Sequence, residues 1–328
     1  MHIRLYRLAL LGLTAALLAG CAARPAAGPT KVTLLLDWAP NTNHTGFYVA
    51  QAQGWYQAQG LEVEIVEPGQ TGTPVPVVAA GKADFGVSFQ EEVTNARATD
   101  VPVVSIAAIV QHNTSVLVSL QDRGITRPKD LEGKKYASFG LPIERQVLSV
   151  LMKCDGGDVA KVQFTDIGAS DPLTAISRDM DVAWIYEGWE GAEAERRNMP
   201  VNSIRFLDWA QCLPDYYTPV IVTSEQMIAQ RPDVVRRFMV ATAQGYEYAI
   251  AHPAEAAQIL IEAAPEASPE LIQKSQVWLS PRYQADAPRW GEQTLAVWQG
   301  YAAWLDGHGL LPRQIDATQA FTNEFLPA

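Results

Sequence analysis

Two hydrophobic periodicities alternate along this chain from residue 32 onward. Residues 32–36 form a β-branched and leucine run, 61–66 (LEVEIV) alternate apolar with acidic, and 85–89 and 103–110 are short apolar runs. Each predicts a strand. Between them, 46–53, 74–80 and 91–98 predict helices, with Gly54 at a helix end and a turn over 81–84. The rhythm returns in a second block, with a helical turn at 128–133, strands at 134–138, 162–167 and 180–186, and helices at 142–153, 173–178 and 187–197. A last strand is predicted at 220–223, and from Ser224 the pattern is almost all helix, broken at Pro232, Pro253, Pro265 and Pro281. Strands alternating with helices predict α/β layers with a largely parallel sheet. Two such blocks and a helical tail predict a two-lobed architecture that the chain crosses twice, with lobe 1 from 32–118 and 219–328 and lobe 2 from 119–218. Strand ends would line the cleft between the lobes, which is where α/β sheets bind ligands.

Ahead of the first strand the pattern is of another kind. Arg4 and Arg7 precede an apolar run over 8–18, and Ala19, Gly20 and Cys21 follow. A positive start, a short apolar stretch and small residues make a secretory signal, and the run is too short for the ~20 residues of a spanning helix. Residues 18–21, LAGC, resemble the lipobox of bacterial lipoproteins. That resemblance implies removal of the leader 1–20, acylation of Cys21 and anchoring at the extracytoplasmic face of the cell membrane. Residues 21–31, small and bearing Pro and Gly, predict a flexible leash.

Charge and cysteine usage narrow the partners. Without the leader the chain keeps 23 basic residues against 36 acidic ones, a formal charge of −13. That balance argues against nucleic acid and against binding anionic lipid by charge. Cys154 and Cys212 could pair in an oxidising exterior, but the expectation is two separately buried thiols. Neither Cys-x-x-Cys nor His-Glu-x-x-His spacing is present, and no Gly-x-Ser-x-Gly elbow, phosphate loop or dinucleotide glycine triplet occurs. No metal, cofactor or catalytic set is therefore expected.

Candidate ligand contacts gather at predicted strand ends. Trp38 offers an indole face, and Asn41, Asn43 and His44 offer donors and acceptors in the turn that follows. The plainer roles are core packing for Trp38, turn formation for Asn41 and a structural imidazole for His44. Phe89, Gln90 and Glu91 start a helix whose free N–H groups make a polar wall; the two polar side chains could equally complement the helix dipole. Residues 181–189, DVAWIYEGW, are the densest aromatic run, with Trp184 and Tyr186 on one strand face and Glu187 and Trp189 at or beyond its end. Two same-face aromatics are more often core than shelf. Tyr217 stands where the chain recrosses to the first lobe, within reach of the hinge side of the cleft.

The residues of 34–46, LLLDWAPNTNHTG, also resemble the opening of a known family. The stretches YVA at 48–50, GWY at 54–56, GLEV at 60–63, AGKADFG at 80–86, KDLEGK at 129–134 and FTNEFL at 321–326 agree with it in order. Together they resemble the solute-binding proteins of ABC importers for thiamine pyrimidine precursors, riboflavin or alkanesulfonates, a family that shares its fold with thiamine-pyrimidine synthases. The resemblance implies a two-lobed periplasmic-binding-protein fold of type II-like topology, a central cleft, a helical C-terminal tail, and permease and ATPase subunits as partners. It sets 181–189 opposite the first-lobe motif, which favours a shelf there. The synthase branch carries a cysteine-rich run where 211–217 reads QCLPDYY, with one cysteine, and a lysine near Trp38 is missing; an enzyme is not expected. Trp38 with Trp184 or Trp189 would sandwich the isoalloxazine of riboflavin, the expected ligand, with an aminopyrimidine donating to Glu91 or Glu187 as the alternative.

Overall fold

The first strands form where alternation and β-branching place them. In β1 (Thr30–Leu35) the inward positions Val32 and Leu34 are buried while their neighbours are partly exposed, and β2 (Leu61–Val66) alternates in the same way. In β3 (Phe85–Ser88), β4 (Val103–Ala108) and β10 (Val220–Ser224) every residue is buried, as in strands covered on both faces. These five make one sheet in the order β2-β1-β3-β10-β4. The second sheet runs β7-β6-β8-β5-β9, from β5 (Ser115–Leu120), β6 (Lys135–Ser138), β7 (Gln163–Asp166), β8 (Val182–Tyr186) and β9 (Val201–Arg205). The computed structural model describes residues 28–68, 73–168 and 170–328. The expected leader 1–20 and Cys21 lie outside the described residues.

The sheets differ from expectation in strand direction, in strand number and in where the chain crosses. Neither sheet is simply parallel: β1 pairs parallel with β3, but β10 is antiparallel to β3 and β4, and β5 is antiparallel to β8 and β9. The chain enters the second sheet as β5 and returns to the first as β10, and each crossing strand inserts against the local direction. Strands β5 and β9 have no counterpart among the predicted elements, and the first crossing falls between Ala108 and Ser115, ahead of the expected 118.

Helices of the tail cover the first sheet. Pro232 and Pro253 open the helices Pro232–Ala251 and Pro253–Ala263, where a missing N–H costs nothing. Pro281 does not break its helix, Pro269–Gln284, because it sits in the last turn. Glycine at 46 and 245 lets the helix Thr45–Ala52 press against Pro232–Ala251. A Cβ on Gly46 would meet the Tyr246 ring at 2.3 Å. The helix Leu295–Gly307 is shared: Trp298 packs in a first-sheet cluster, whereas Tyr301 and Leu305 pack with the second-sheet core. Cys154 and Cys212 are joined as a disulfide with Cα atoms 6.2 Å apart, and Cys154 is exposed. The expected pair of separately buried thiols is corrected: one cysteine ends a helix and the other precedes the returning crossing, within bonding reach.

Candidate ligand-binding cleft

On the first lobe, β1 ends into a turn whose polar side chains are largely spent on the turn itself. Asn41 accepts the N–H of Asn43 at 2.9 Å and donates to the carbonyl of Ala39 at 3.1 Å. His44 has no exposure; its Nδ1 accepts the N–H of Asn41 at 3.2 Å, so Nε2 carries the proton and donates to Asp37 Oδ1 at 2.7 Å. Both ring nitrogens are thus occupied inside the lobe, and His44 has none left for a ligand. Asn43, half-buried, gives its carbonyl to the Tyr246 hydroxyl. The turn aims Trp38 outward, and the indole is 50% exposed, a large apolar face open to solvent.

At the end of β3, Phe89 is half-buried and starts the helix Gln90–Ala98. Gln90 is fully buried and clasps the returning crossing: its Oε1 accepts the N–H of Tyr217 at 2.8 Å and its own N–H donates to the Tyr217 carbonyl at 3.0 Å. Glu91 differs. Its Oε2 is buried without a hydrogen-bond partner. Burial pushes its pKa up to about 8, a main-chain hydrogen bond opposes this, and neighbouring Glu92 adds to it. Glu92 is also raised, by burial first, against hydroxyl bonds from Ser88 and Thr73 and with a push from Asp37.

The facing wall comes from β5 and β8, where Ser115 lies opposite Tyr186 and Leu117 opposite Trp184. Trp184 shares a face with Tyr186, as alternation requires, but it is 6% exposed and its ring packs edge-on against Phe206 at 4.6 Å. It is core rather than shelf, with only its Nε1 unpartnered. Tyr186 holds its phenol far above the usual range, through burial first and then Glu91, with Asp37 and Glu190 contributing. Acidic side chains of both lobes therefore act on one tyrosine. Beyond β8 the chain winds a π-helical turn, Glu187–Gly191, a geometry often found at functional sites. That turn sends Glu190 inward: its Oε2 accepts the N–H of Tyr186 at 3.0 Å, and burial lifts its pKa to about 7. Glu187 instead pairs with Arg205 at 2.5 Å, and Trp189 packs against the Leu260 and Ile272 cluster of the tail. Tyr217 is buried in a first-lobe cluster and its hydroxyl accepts the N–H of Thr294 at 3.0 Å, so it points away from the cleft.

Its neighbour Tyr216 turns the other way. The Tyr216 ring lies 4.4 Å from that of Tyr301, and burial, then Glu91, raises its pKa. Tyr216, Thr218 and Tyr301 hydroxyls, Ser115 Oγ, Asn113 Nδ2 and Glu91 Oε2 are all buried without a well-formed partner in the protein. Each such atom costs about 1–3 kcal/mol when left unsatisfied, and their gathering where the two lobes meet makes this the candidate site. Among these, Asn113, Ser115, Glu190, Tyr216, Thr218 and Tyr301 escaped the candidates chosen from sequence. Of Tyr216 and Tyr217, strand-like alternation allows only one to face the cleft, and the pattern does not say which. Beside Asn113 and Ser115 opens a cavity of about 250 Å³, also lined by His112, Arg205, Trp278 and Arg282. There the Arg282 guanidinium lies 3.6 Å from the centre of the Trp278 ring.

The model of the NMT1/THI5 like family matches residues 41–256. The chain belongs to that family. It is 28% identical to the formylaminopyrimidine-binding protein of Halalkalibacterium halodurans over 298 residues, 89% of each chain. It is 27% identical to the riboflavin-binding protein RibY of Chloroflexus aurantiacus, over 92% of this chain and 88% of that one. A third relative, the 4-amino-5-hydroxymethyl-2-methylpyrimidine phosphate synthase of Legionella pneumophila, is 26% identical over 91% of this chain and 93% of its own. The fold is that of ABC-type solute-binding proteins: the alkanesulfonate-binding protein SsuA of Xanthomonas axonopodis pv. citri superposes with a TM-score of 0.67 at 13% identity, covering 90% of this chain and 99% of that one. No helix among the described residues is long and apolar enough to cross a membrane.

Proposed function

We propose that this family member is the lipid-anchored solute-binding subunit of an ABC importer and that its ligand is an aminopyrimidine of the thiamine-precursor class. The observation that carries the ligand assignment is the pair Glu91 and Glu190, buried carboxyls from opposite lobes flanking Tyr186 with pKa values lifted to about 8 and about 7. An aminopyrimidine presents an exocyclic amine beside a basic ring nitrogen. A protonated carboxyl accepts from the amine and donates to the ring nitrogen, and once the proton passes to the ring the carboxylate accepts from both. Trp38 supplies one stacking face. Riboflavin was favoured by a sandwich between Trp38 and a second-lobe indole, but Trp184 and Trp189 are both engaged in packing. The likeness to RibY and the open Trp38 face keep riboflavin as the second reading.

Anchoring at Cys21 places the domain outside the cytoplasmic membrane, and the Cys154–Cys212 disulfide suits an oxidising exterior. The disulfide also engages the one cysteine of 211–217, which supports a binding role over a synthase role. Calorimetry of the leaderless protein with 4-amino-5-hydroxymethyl-2-methylpyrimidine and with riboflavin tests the assignment. Saturable heat from the pyrimidine and none from riboflavin is expected. Heat from riboflavin alone, or a yellow protein purified from vitamin-containing medium, refutes it.

A further inference from the structure

The two crossings between lobes are tied together by a side-chain cluster outside the cleft. His112, in the first crossing, bonds through Nδ1 to Asp215 Oδ2 at 2.6 Å and through Nε2 to Asp286 Oδ1 at 2.9 Å. Asp215 belongs to the returning crossing, and Asp286 follows the helix Pro269–Gln284 of the tail. A carboxylate only accepts, so two carboxylate partners require both ring nitrogens to be donors. Asp215 then spends its other oxygen, Oδ1, on two main-chain groups: the N–H of Asn113 and the N–H of Tyr216, each at 2.9 Å. Those are two residues whose buried side chains carry polar atoms without a well-formed partner in the protein, Asn113 Nδ2 and Tyr216 OH.

We propose that His112 is a positioning residue for ligand binding, acting through Asp215 to hold Asn113 and Tyr216 in register across the two crossings. This rests on the assignment of the cleft as the ligand site. Two features separate the cluster from an incidental surface pair. Asp215 is bonded on both oxygens, so its rotamer is set, and two of its partners, His112 and Asn113, lie on the other crossing. The ring is half-exposed, with its side chain at 47%, and the other charged groups near it are Glu187, Arg205 and Arg282 of the adjoining cavity. The bonds to Asp215 lead the causes that raise its pKa to about 9, with burial opposing and Asp286 adding. The imidazolium form is thus the working form at neutral pH.

The sign follows from linkage. A raised histidine pKa contributes in full below the ordinary value of 6.5 and is lost as pH rises through about 9. In ligand-free wild-type protein followed by nitrogen-15 NMR, the main-chain amides of Asn113 and Tyr216 should move with the midpoint of the His112 ring. In His112→Gln that inflection should vanish. Affinity for 4-amino-5-hydroxymethyl-2-methylpyrimidine at pH 7 should fall about fivefold in His112→Gln, the upper scale of a part-exposed charge pair, and Asp286→Asn should lose less while lowering the ring midpoint. Asn113 and Tyr216 amides that ignore the ring titration overturn the proposal, as does His112→Gln binding with wild-type affinity and pH profile. Wild-type protein that binds no aminopyrimidine refutes the ligand assignment instead, and the ligand-free titration still decides whether His112 holds the crossings.

Discussion

Replacing Glu91 with glutamine should make the empty protein more stable and the ligand weaker, a combination that a merely structural glutamate would not produce. The carboxyl is raised from 4.5 to about 8, chiefly by burial, and Oε2 has no partner. A raised acid binds more protons in the folded than in the unfolded state, so stability is highest below pH 4.5 and declines as pH rises through about 8. At about 1.4 kcal/mol per pH unit, the cost reached at pH 7 is about 3 kcal/mol. Glu91→Gln keeps the shape and removes the charge. Urea unfolding of ligand-free protein should therefore show little difference between variant and wild type at pH 4.5, and at pH 7 a variant more stable by roughly that amount. Glu92 and Glu190 are raised in the same direction, so the variant should keep a residual slope. Ligand affinity should fall by about 1.5–3 kcal/mol, the scale of a hydrogen bond to a charged group. A variant less stable than wild type at both pH values would refute the idea that Glu91 is a strained, ligand-directed acid.

Trp38→Ala should weaken the ligand by about 1–3 kcal/mol, by analogy with base–aromatic stacking, and leave the melting temperature close to wild type because the indole is half exposed. Trp189→Ala should do the reverse, lowering the melt by loss of packing on the tail with little change in intrinsic affinity; equal affinity losses for both would contradict the packing described. Reducing the Cys154–Cys212 disulfide, which closes a loop with a sequence separation of 58, should cost about 4 kcal/mol on the chain-entropy estimate; denaturant midpoints with and without reductant measure it. Cys21→Ala should abolish incorporation of labelled palmitate, and label entering the variant would rule out the lipobox.

Much of the fold was legible because burial follows residue pattern directly. LEVEIV alternates and so does the exposure of β2, while fully apolar runs became the doubly covered β3, β4 and β10. Strand β9, VNSIR, was not legible, since a partly exposed edge strand need not be apolar. The site was legible only as neighbourhoods. The expected stretches 37–44 and 181–189 both supply side chains to the candidate cleft, but which side chain faces it depends on turns that sequence pattern does not encode. A π-helical turn exchanges Glu187 for Glu190, and the capping network consumes Asn41 and His44. Tyr301 belongs to a tail helix distant in sequence, and only tertiary packing brings it beside Tyr216.

That same helix, Leu295–Gly307, changes what opening can mean for this molecule. A two-lobed receptor joined by two strands can part like a book. Here a third span has its Trp298 end sunk in one lobe and its Tyr301 and Leu305 end sunk in the other. The Trp304 indole further donates to the carbonyl of Cys212 at 2.6 Å, just ahead of the returning strand. Wide separation would have to draw large aromatic side chains into water, whereas rotation about the helix axis leaves both ends seated. The spine favours a narrow twist over a gape, so the two lobes would part by a small rotation about one packed helix rather than by a wide swing.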